Sequence, residues 1–474
     1  MFRRKLIFAL LFLFVSFFAQ AQNSWTLQQC IDYALSHNLQ IKQNELTVEL
    51  AKDQYSQSFG NMLPSLNGNA TNNYYYGKSI DPNTNIFTNQ QVRSNTFAIS
   101  SNVPLFEGLQ LQNTLKQNNL TYMSSQYDLR KIQNDISLNV VTDYLQVLYN
   151  QEQLKNTQEQ LDATKVQHDR TQRMYELGSL AKGSFLDIEA QLASDEGKLV
   201  TAQSQLDQSV LSLTQLLELD SAKDFSIQKP LIDMPSADIM KTDVDGIYAV
   251  ALKTQPDIIS YQYKVQSAEK GLSAARGGSY PRLSLNGSLS TVYTTSDESL
   301  VGYDLGNPTI VPSGFTSGGD TVFSVIPSPI LKKTPFGDQF SNNLSKSIGL
   351  NLSIPIFNGW AVRTNINRAR IGLQQSQLTL QTVKNSLYKS VQQAALDAKS
   401  SYKKYVADQK SAASLKEAMD YSEQKFTLGL ISTYDYLTAK NNLANANALL
   451  VQAKYDYIFK VKVLDFYQGK PLVF

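Results

Sequence analysis

The chain contains few of the residues on which catalytic and metal sites depend. Its 474 residues include one cysteine and two histidines, His37 and His168. So few ligands, so far apart in sequence, predict no metal cluster and no nucleophile–base pair of the cysteine–histidine kind. No glycine-rich phosphate loop is found in the sequence either. We therefore expect a protein that is not an enzyme and that binds no metal and no cofactor.

Net charge and long apolar runs are also scarce. The chain carries 43 Lys and Arg against 41 Asp and Glu, which gives no electrostatic basis for binding nucleic acid. Beyond residue 21 no apolar run approaches 18 residues, so the sequence predicts no membrane-spanning helix. If the protein enters a membrane, β-strands are the other arrangement that satisfies the backbone in lipid.

The first 21 residues, MFRRKLIFALLFLFVSFFAQA, have the pattern of a secretory signal peptide. Three cations precede an apolar run, which is followed by Ala-Gln-Ala. We expect cleavage before Gln22, which leaves 40 cations and 41 anions. The residues before Cys30 are not the small residues that precede the cysteine of a lipid-attachment site. We therefore interpret Cys30 as a helix core position.

Proline is absent from two long spans, residues 105–229 and 356–470, and each span has only four glycines. Because proline costs about 3 kcal/mol inside a helix, these spans predict long helices, about 107–175 and 358–426, each followed by a return helix. Apolar residues recur every seven positions, as in supercoiled helices. The repeats are Leu115, Tyr122, Leu129 and Ile136; Leu154, Leu161, His168 and Tyr175; and Ile366, Leu373, Leu380 and Leu387.

The two halves of the chain match each other at fixed shifts. A shift of 251 carries the first heptad set onto the last, and it carries NVPLFEGLQ onto SIPIFNGWA and MYELGSL onto KFTLGLI. Before these segments the shift is 217, as for ALSHNLQI and ALKTQPDI. The sequence therefore predicts a tandem duplication with 34 extra residues in the second copy.

The proline-containing segments predict four strands, about 64–76, 93–105, 281–293 and 346–357. Apolar residues alternate with small or polar ones, most strictly in KSIGLNLSIPIF, which gives one apolar and one polar face. Outer-membrane strands have this pattern, although a half-buried soluble hairpin would have it too. Tyr74, Tyr75 and Tyr76 fit an interfacial aromatic girdle, and we expect exposed loops at about 77–92 and 294–343.

The predicted organisation has three parts. A signal peptide, 1–21, precedes a first repeat, 22–232, with a helix, two strands and a helical hairpin at about 107–222. The second repeat, 233–474, has the same order, with its hairpin at about 358–468. Four strands cannot close a barrel, for which eight is the usual minimum, whereas three chains would supply twelve.

This order of elements resembles the TolC-like outer-membrane efflux family. The resemblance rests on the duplication, the P-[LI]-F-x-G junctions and LGLISTYDYLTAKNNLANANALL, and it covers essentially the whole mature chain. It implies an α+β membrane protein: a homotrimer whose long antiparallel helical hairpins form an α-barrel tunnel and whose strands form a twelve-stranded β-barrel. It also implies docking to a periplasmic adaptor (membrane fusion) protein and an inner-membrane pump.

The resemblance places Gly178 and Gly429 at the periplasmic tips of the hairpins. Pro104, Gly108, Pro355 and Gly359 mark the junctions where strands pass into helices; proline would end the ladder and glycine would permit the turn.

Asp435 has two interpretations. With Ser432 as N-cap it completes a capping box, and by resemblance it is the acid of a ring at the tunnel mouth, where three copies would attract cations. Thr438 and Ile431 stand where the family often has a second acid and an arginine lock, so neither a double ring nor that lock is expected.

In the first repeat the position of Asp435 is taken by Ser184. We interpret Ser184 as an N-cap with Asp187 completing its capping box, the alternative being a tip charge, and Lys182 as an exposed loop lysine. Tyr175 and Phe426, which precede the tip glycines, are expected in the hairpin core rather than at an adaptor interface.

We therefore predict a passive trimeric duct that exports small molecules across the periplasm and outer membrane. A duct for type I protein secretion and a secreted coiled-coil structural protein are the alternatives. A nutrient porin is not expected, because porins lack helices of this length.

Overall fold

The computed structural model describes residues 24–80, 87–221, 223, 225–230, 234, 240 and 243–470. The predicted signal peptide lies outside these residues. They form two compact units. The helical unit comprises the described residues of Met1–Asp53, Asn119–Ala268 and Gly372–Phe474, and the sheet unit comprises those of Gln54–Asn118 and Glu269–Ile371. None of the described helices is long and apolar enough to cross a membrane.

The described helices fall into two series of four, with one short helix between them. The first series is α1 (Leu27–His37), α2 (Leu39–Gly60), α3 (Gln110–Glu176) and α4 (Lys182–Leu216). The second begins with α5 (Val244–Thr254) and α6 (Pro256–Gly277); the short α7 (Phe336–Asn342) follows, and then α8 (Ala361–Thr427) and α9 (Thr433–Tyr467).

Corresponding helices of the two series have equal lengths. They contain 11, 22, 67 and 35 residues in both series. The first two helices of each series are related by the shift of 217, and the last two are related by the shift of 251 that the sequence shows. At 1.5 Å per residue, each 67-residue helix is about 100 Å long.

Each series opens with two helices where the sequence predicts one. In the first series Asn38 separates α1 from α2: its backbone is extended, and its side-chain oxygen accepts from the backbone N–H groups of Gln40, at 2.9 Å, and Ile41, at 3.3 Å. In the second series Gln255 precedes Pro256, and the residue before a proline avoids the helical conformation.

Two apolar clusters hold the helical unit together. The larger joins α1, α3, α4 and α9 through buried side chains that include Cys30, Tyr144 and Leu213. Cys30 is fully buried, which confirms its core position, and burial raises the pKa of its thiol to about 12. The smaller cluster joins α5 and α6 to α8 around Ile258 and Val391.

The predicted heptad positions are buried only in part. In both long helices the last member, Ile136 or Leu387, is buried, and the three before it are half-buried. Further along α3 the predicted Leu161 is buried, but the other buried positions are Thr164, Gln167 and Thr171. His168 is therefore beside the seam rather than in it, which corrects the prediction from the seven-residue spacing.

Eight strands are described. They are β1 (Ser24–Trp25), β2 (Ser65–Ile80), β3 (Phe87–Glu107), β4 (Ser226–Ile227), β5 (Arg282–Thr294), β6 (Glu298–Phe315), β7 (Thr321–Lys333) and β8 (Ser345–Ser353). Four of them form an antiparallel sheet in the order β2-β3-β5-β8. Strands β2 and β8 thus have a described partner on one side only.

The register gives this sheet two unlike faces. Leu66, Ser101, Gly287 and Ile348 lie opposite one another across the four strands. Every second residue of each strand, counted from this row, lies on the same face. This apolar face includes Leu66, Phe97, Ile99, Val103, Leu283, Leu285, Leu289, Ile348, Leu350 and Leu352. The opposite, polar face includes Ser65, Asn67, Asn69, Thr71, Asn73, Ala98, Ser100, Asn102, Ser284, Asn286, Ser288, Ser290, Ser347 and Asn351, and at one end the opposed charges of Glu107 and Arg282.

The predicted loop 294–343 is wrong in its central part. Strands β6 and β7 form a separate two-stranded ribbon, and α7 follows them. Gln339 of α7 is almost fully buried and binds the ribbon's base: it accepts from the Thr294 N–H at 2.9 Å and donates to the carbonyls of Thr294 and Thr334. The sequence suggests a loop because proline and glycine interrupt the alternation.

Candidate functional site

The turn between α3 and α4 depends on a single glycine. Gly178 has φ of +72°, a conformation that other residues adopt at a cost. Its N–H donates to the Tyr175 carbonyl, and the Ser179 N–H donates to the Met174 carbonyl, both at 2.9 Å. These two bonds close the helix end in a Schellman motif. A side chain at residue 178 would meet nothing within 4 Å, so the glycine serves the turn and not close packing.

The turn between α8 and α9 repeats this geometry. Gly429 has φ of +74°, its N–H donates to the Phe426 carbonyl at 3.0 Å, and the Leu430 N–H donates to the Lys425 carbonyl at 2.9 Å. The leucine before each tip glycine, Leu177 or Leu428, is largely exposed. The two predicted tips are therefore the same turn built twice.

The capping box predicted after the second turn is confirmed. Ser432 is the N-cap of α9, and its hydroxyl accepts from the Asp435 N–H at 3.1 Å. The Asp435 carboxylate accepts from the Ser432 N–H at 3.4 Å and from its hydroxyl at 2.7 Å. Asp435 remains exposed, so a cap and a solvent-facing charge are compatible. Thr438 donates its hydroxyl back to the Tyr434 carbonyl at 2.8 Å.

The capping box predicted for the first repeat is wrong. The N-cap of α4 is Ala181, which makes no side-chain cap bond. Ser184 is the third residue of the helix, and Asp187 lies exposed in its second turn. Lys182 is the first residue of the helix rather than a loop residue. The shift of 251 pairs Ala181 with Ser432, so the repeat itself contains the correct position.

Aromatic stacking closes both hairpins. Tyr175 stacks on Phe185 with ring centroids 5.5 Å apart, and Phe426 stacks on Tyr436 at 4.6 Å. The shift of 251 relates both partners. Tyr436 is buried, and burial raises the pKa of its hydroxyl to about 12. Packing inside the hairpin is thus confirmed for Phe426, while Tyr175 keeps 38 % of its surface exposed.

A buried carboxylate lies further along the same hairpins. Asp195 of α4 is fully buried and accepts from Thr164 at 2.7 Å and from the Lys198 ammonium at 2.9 Å. The side-chain amides of Gln160 and Gln191 also donate to it, at 3.2 and 2.9 Å. These four donors satisfy a charge that would otherwise be very costly to bury.

Lys440 of α9 completes this cluster. Its ammonium donates to the hydroxyl of Thr164, and only 8 % of the residue is exposed. Burial lowers the pKa of Lys440 to about 8; Lys198 acts in the same direction, and Asp195 and Glu423 oppose it. The cluster joins α3, α4 and α9. The sequence does not reveal it, because Thr164, Asp195 and Lys440 are more than 30 positions apart and single polar residues in helices usually face water.

The two strand-to-helix junctions share an unusual backbone. Gly108 and Leu109 have φ of +61°, and Gly359 and Trp360 have φ of +60° and +67°. Two consecutive left-handed residues delay the helices to Gln110 and Ala361, about three positions beyond their predicted starts.

The prolines at these junctions act differently from each other. The ladder between β3 and β5 continues past Pro104 through an irregularity between Pro104 and Phe106, so the prediction that this proline ends the ladder is wrong. The residue that the register skips is Leu105, whereas Pro104 stays opposite Ser284 and lies beyond the last β2–β3 pair, Ser65–Asn102. Strand β8 ends at Ser353, ahead of Pro355. Ile354 and Ile356, predicted within the strand, lie beyond its end and are exposed.

The described residues contain no group of three or more His, Cys, Asp or Glu side chains that could hold a metal ion. His37 stacks on Tyr33 at 3.9 Å, and His168 lies 5.5 Å from the ring of Phe185. Both histidines are accounted for by local packing, His37 within α1 and His168 within the α3–α4 hairpin.

Paired helical hairpins that arise directly from the strands of a two-faced sheet are the architecture of an outer-membrane channel subunit. Comparison of the sequence agrees with the fold: the profile of the outer membrane efflux protein family matches residues 30–218 and 247–469. The chain belongs to the outer membrane efflux protein family. That membership assigns it to the outer membrane and to transport.

Individual relatives are distant but nearly full-length. The outer membrane protein TolC of Escherichia coli is 22 % identical over 96 % of this chain and 84 % of its own length. The cation efflux system protein CusC of Escherichia coli is 21 % identical over 90 % of this chain and 82 % of its own length. The relatives that match are channel and efflux proteins rather than enzymes.

Solved structures show the same fold. The crystal structure of the outer membrane protein VceC from Vibrio cholerae superimposes with a TM-score of 0.74 at 14 % identity, over 94 % of this chain and 96 % of that one. The CmeC outer membrane channel of Campylobacter jejuni gives a TM-score of 0.72 at 18 % identity, over 94 % of this chain and 87 % of that one.

Proposed function

We propose that three copies of this chain form a passive export duct for small molecules. In this proposal their sheets close a twelve-stranded barrel in the outer membrane, and their hairpins form a tunnel through the periplasm. A periplasmic adaptor and an inner-membrane pump supply cargo and energy. The chain's membership of an efflux family supports export as the direction of transport. Its relative CusC is named for cation efflux, which supports small cargo.

The four-stranded sheet is the observation that carries the proposal. Its outer strands β2 and β8 have free edges among the described residues, and all nine residues of β8 are exposed. Free edges invite pairing with another chain. Because β2 and β8 run antiparallel across the sheet, β8 of one copy can continue the antiparallel order onto β2 of the next.

The faces of the sheet support a barrel in lipid. One face carries mainly Leu, Ile, Val and Phe, with Lys346 near one end, and the other carries mainly Ser and Asn, with Glu107 and Arg282 at one end, which is the alternation of a lipid-facing and a water-facing surface. The equal helix lengths of the two series support the tandem duplication. Six hairpins of this length, two from each copy, would be available for the tunnel.

Pairing of cysteines across the free edges tests the assembly. In a Cys30→Ala background, Leu66→Cys on β2 is combined in turn with a cysteine at Ile348, Leu350 or Leu352 on β8. Within one chain the edges are three strand spacings, about 14 Å, apart, which is too far for a disulfide. One pairing should therefore yield covalent trimers in outer-membrane fractions.

The same preparation tests the duct. Purified trimers reconstituted in planar bilayers should conduct ions, whereas a secreted coiled-coil protein would neither cross-link through these strands nor conduct. Cysteines on the central strands β3 and β5 are the matched control and should give no covalent trimer. A monomer without conductance would overturn the proposal.

A further inference from the structure

The β6–β7 ribbon, here the insert ribbon, carries an apolar surface that the described residues leave exposed. It is a separate two-stranded sheet. Near its tip the cross-strand pairs Ile310–Val325 and Pro312–Phe323 lie on one face, because directly opposed residues share a face. Ile310, Phe323 and Val325 are 63 %, 57 % and 65 % exposed. A two-stranded ribbon alone is marginally stable in water. Packing of another surface on this apolar face would therefore stabilise the ribbon.

A second ribbon extends beyond the β3–β5 ladder at the same end of the sheet, and its base, at Arg93, bonds to Thr295. The ladder between β3 and β5 ends at Ser94–Thr294, whereas β2 and β3 stay paired up to Ile80–Phe87. Residues 74–80 and 87–93 form this outer ribbon. Its large side chains, among them Tyr74, Tyr75, Tyr76, Ile80 and Phe87, are 49–75 % exposed.

Topology brings unlike ribbons of neighbouring copies together. The insert ribbon leaves the sheet from the end of β5, beside the ladder end at Thr294, and the chain returns through α7 into the edge strand β8. The outer ribbon belongs to β2, the opposite edge. In a ring that joins β8 to the next copy's β2, the insert ribbon of one copy therefore has the outer ribbon of the next copy on one side. Its own copy's outer ribbon flanks it on the other side, where Thr295 bonds to the Arg93 backbone, but leaves the apolar surface near the tip exposed.

The charges of the two ribbons are opposite. The outer ribbon's described residues carry Lys78 and Arg93 and no carboxylate, while Asp81, in the connection between its two strands, lies outside the described residues. Lys78 lies over the Phe87 ring at 5.0 Å, and Arg93 donates to the Asn72 side chain at 3.2 Å. At its base the insert ribbon carries Glu298 opposite Lys333, with Lys332 beside them, and beyond this base it carries only acids, Asp304 and Asp320. Opposite charges beside apolar surface favour a specific contact.

We propose that the insert ribbon of each copy packs on the outer ribbon of the neighbouring copy, so that a second copy of this chain is the partner of both surfaces. The contact rests on the proposed trimer and adds to it a second interface beyond the paired strands. It gives the 34 extra residues of the second repeat a role in holding the copies together.

Cross-linking between two differently marked copies tests this contact. One copy, in the Cys30→Ala background, carries a size tag and Asn89→Cys in the outer ribbon; the other carries Thr321→Cys in the insert ribbon. Both positions are exposed and polar, so the apolar surfaces stay intact. After co-expression, a flexible bismaleimide should join tagged to untagged copies. Lys403→Cys on α8 replaces Thr321→Cys as the matched control and should give no product.

Edge cysteines at Leu66 and on β8, introduced in parallel samples, report on the trimer alone. Edge cross-links with no ribbon cross-links would overturn the ribbon contact and leave the trimer standing, and loss of both would overturn both. A chain carrying both Asn89→Cys and Thr321→Cys that cross-links only within itself would also refute the contact.

Charge reversal gives an independent readout. Asp320, whose side chain makes no described hydrogen bond, becomes Lys, and Lys78 becomes Glu. Each single variant should lose ribbon cross-linking, and the double variant should recover it, while edge cross-linking stays unchanged throughout. Equal cross-linking in all variants would contradict the charge complementarity from which the contact is inferred.

Discussion

Replacing Gly108 by alanine should destabilise the protein far more than replacing Gly359, although both occupy the same position of the repeated junction. Their φ angles are +61° and +60°, so alanine meets the same left-handed strain at both, about 1–2 kcal/mol. Their surroundings differ. A Cβ at residue 108 would lie 2.3 Å from the Gly277 carbonyl oxygen and 2.8 Å from the Tyr280 Cβ, and one at residue 359 would meet nothing within 4 Å.

The steric contribution can be separated from the backbone contribution with a third variant. Gly277 has no positive φ, and a Cβ there would lie 2.6 Å from the Gly108 carbonyl oxygen. Overpacking of this kind costs about 1–3 kcal/mol, offset at the end of α6 by alanine's helix propensity, about 1 kcal/mol. The loss of stability in Gly359→Ala thus measures backbone strain alone, and the loss in Gly277→Ala measures crowding. Gly108→Ala should lose stability through both effects, about 2–5 kcal/mol in all.

The assay is denaturant unfolding of the detergent-solubilised protein, followed by the circular dichroism of its helices. The midpoint should fall least for Gly359→Ala and most for Gly108→Ala. Equal midpoints for these two variants would refute the close approach of the two glycine backbones, since strain alone would then explain both.

Three further predictions follow from the hairpins and the core. Asp435→Asn should keep the cap and remove the charge, which raises anion passage through reconstituted pores; Ser432→Ala should keep the charge and cost about 0.5–2 kcal/mol of stability. The Lys440 pKa of about 8 lies below the ordinary 10.5, so the unfolded chain binds the proton more tightly. Stability should therefore rise between pH 8 and 10, by up to about 3 kcal/mol, and Lys440→Met should lack this rise. Cys30 should react with maleimide only after unfolding.

Each of these has a contradicting outcome. Unchanged ion selectivity in Asp435→Asn would leave that carboxylate with its capping role only. If wild type and Lys440→Met show the same dependence of the urea midpoint on pH, the ammonium is not buried as described. Labelling of Cys30 at the rate of a free thiol would mean that the core around α1 opens readily.

Long helices and paired turns were predictable because their signals are local or repeated. A long span without proline predicts a long helix from the sequence alone, and both 67-residue helices lie in such spans. The shift of 251 relates Gly178 to Gly429, so each turn supports the prediction of the other. Ser432 and Asp435 are three positions apart, so their bond could be inferred from spacing alone.

Contacts that depend on tertiary packing were not predictable in this way. Asp195 and Lys440 look like two ordinary polar residues of amphipathic helices until α3, α4 and α9 come together around Thr164. The β6–β7 ribbon contains prolines and glycines, which favour the prediction of a loop. Its strands pair nevertheless, with irregularities of the register near several of these residues. Helix starts were misplaced by about three residues because left-handed backbone at Leu109 and Trp360 has no marker in those residue types.

The serine and asparagine face of the sheet has a consequence for how permeation would respond to conditions. Hydroxyl and amide side chains neither gain nor lose protons over the pH range in which proteins are studied. In the proposed channel the hydroxyl and amide part of this wall therefore has no ionisable group, and the charges that the register places on the same face, Glu107 and Arg282, lie opposite each other at one end of the sheet. A dependence of the current on pH or salt would have to originate at such charged positions, Asp435 among them, rather than along the serine and asparagine rows.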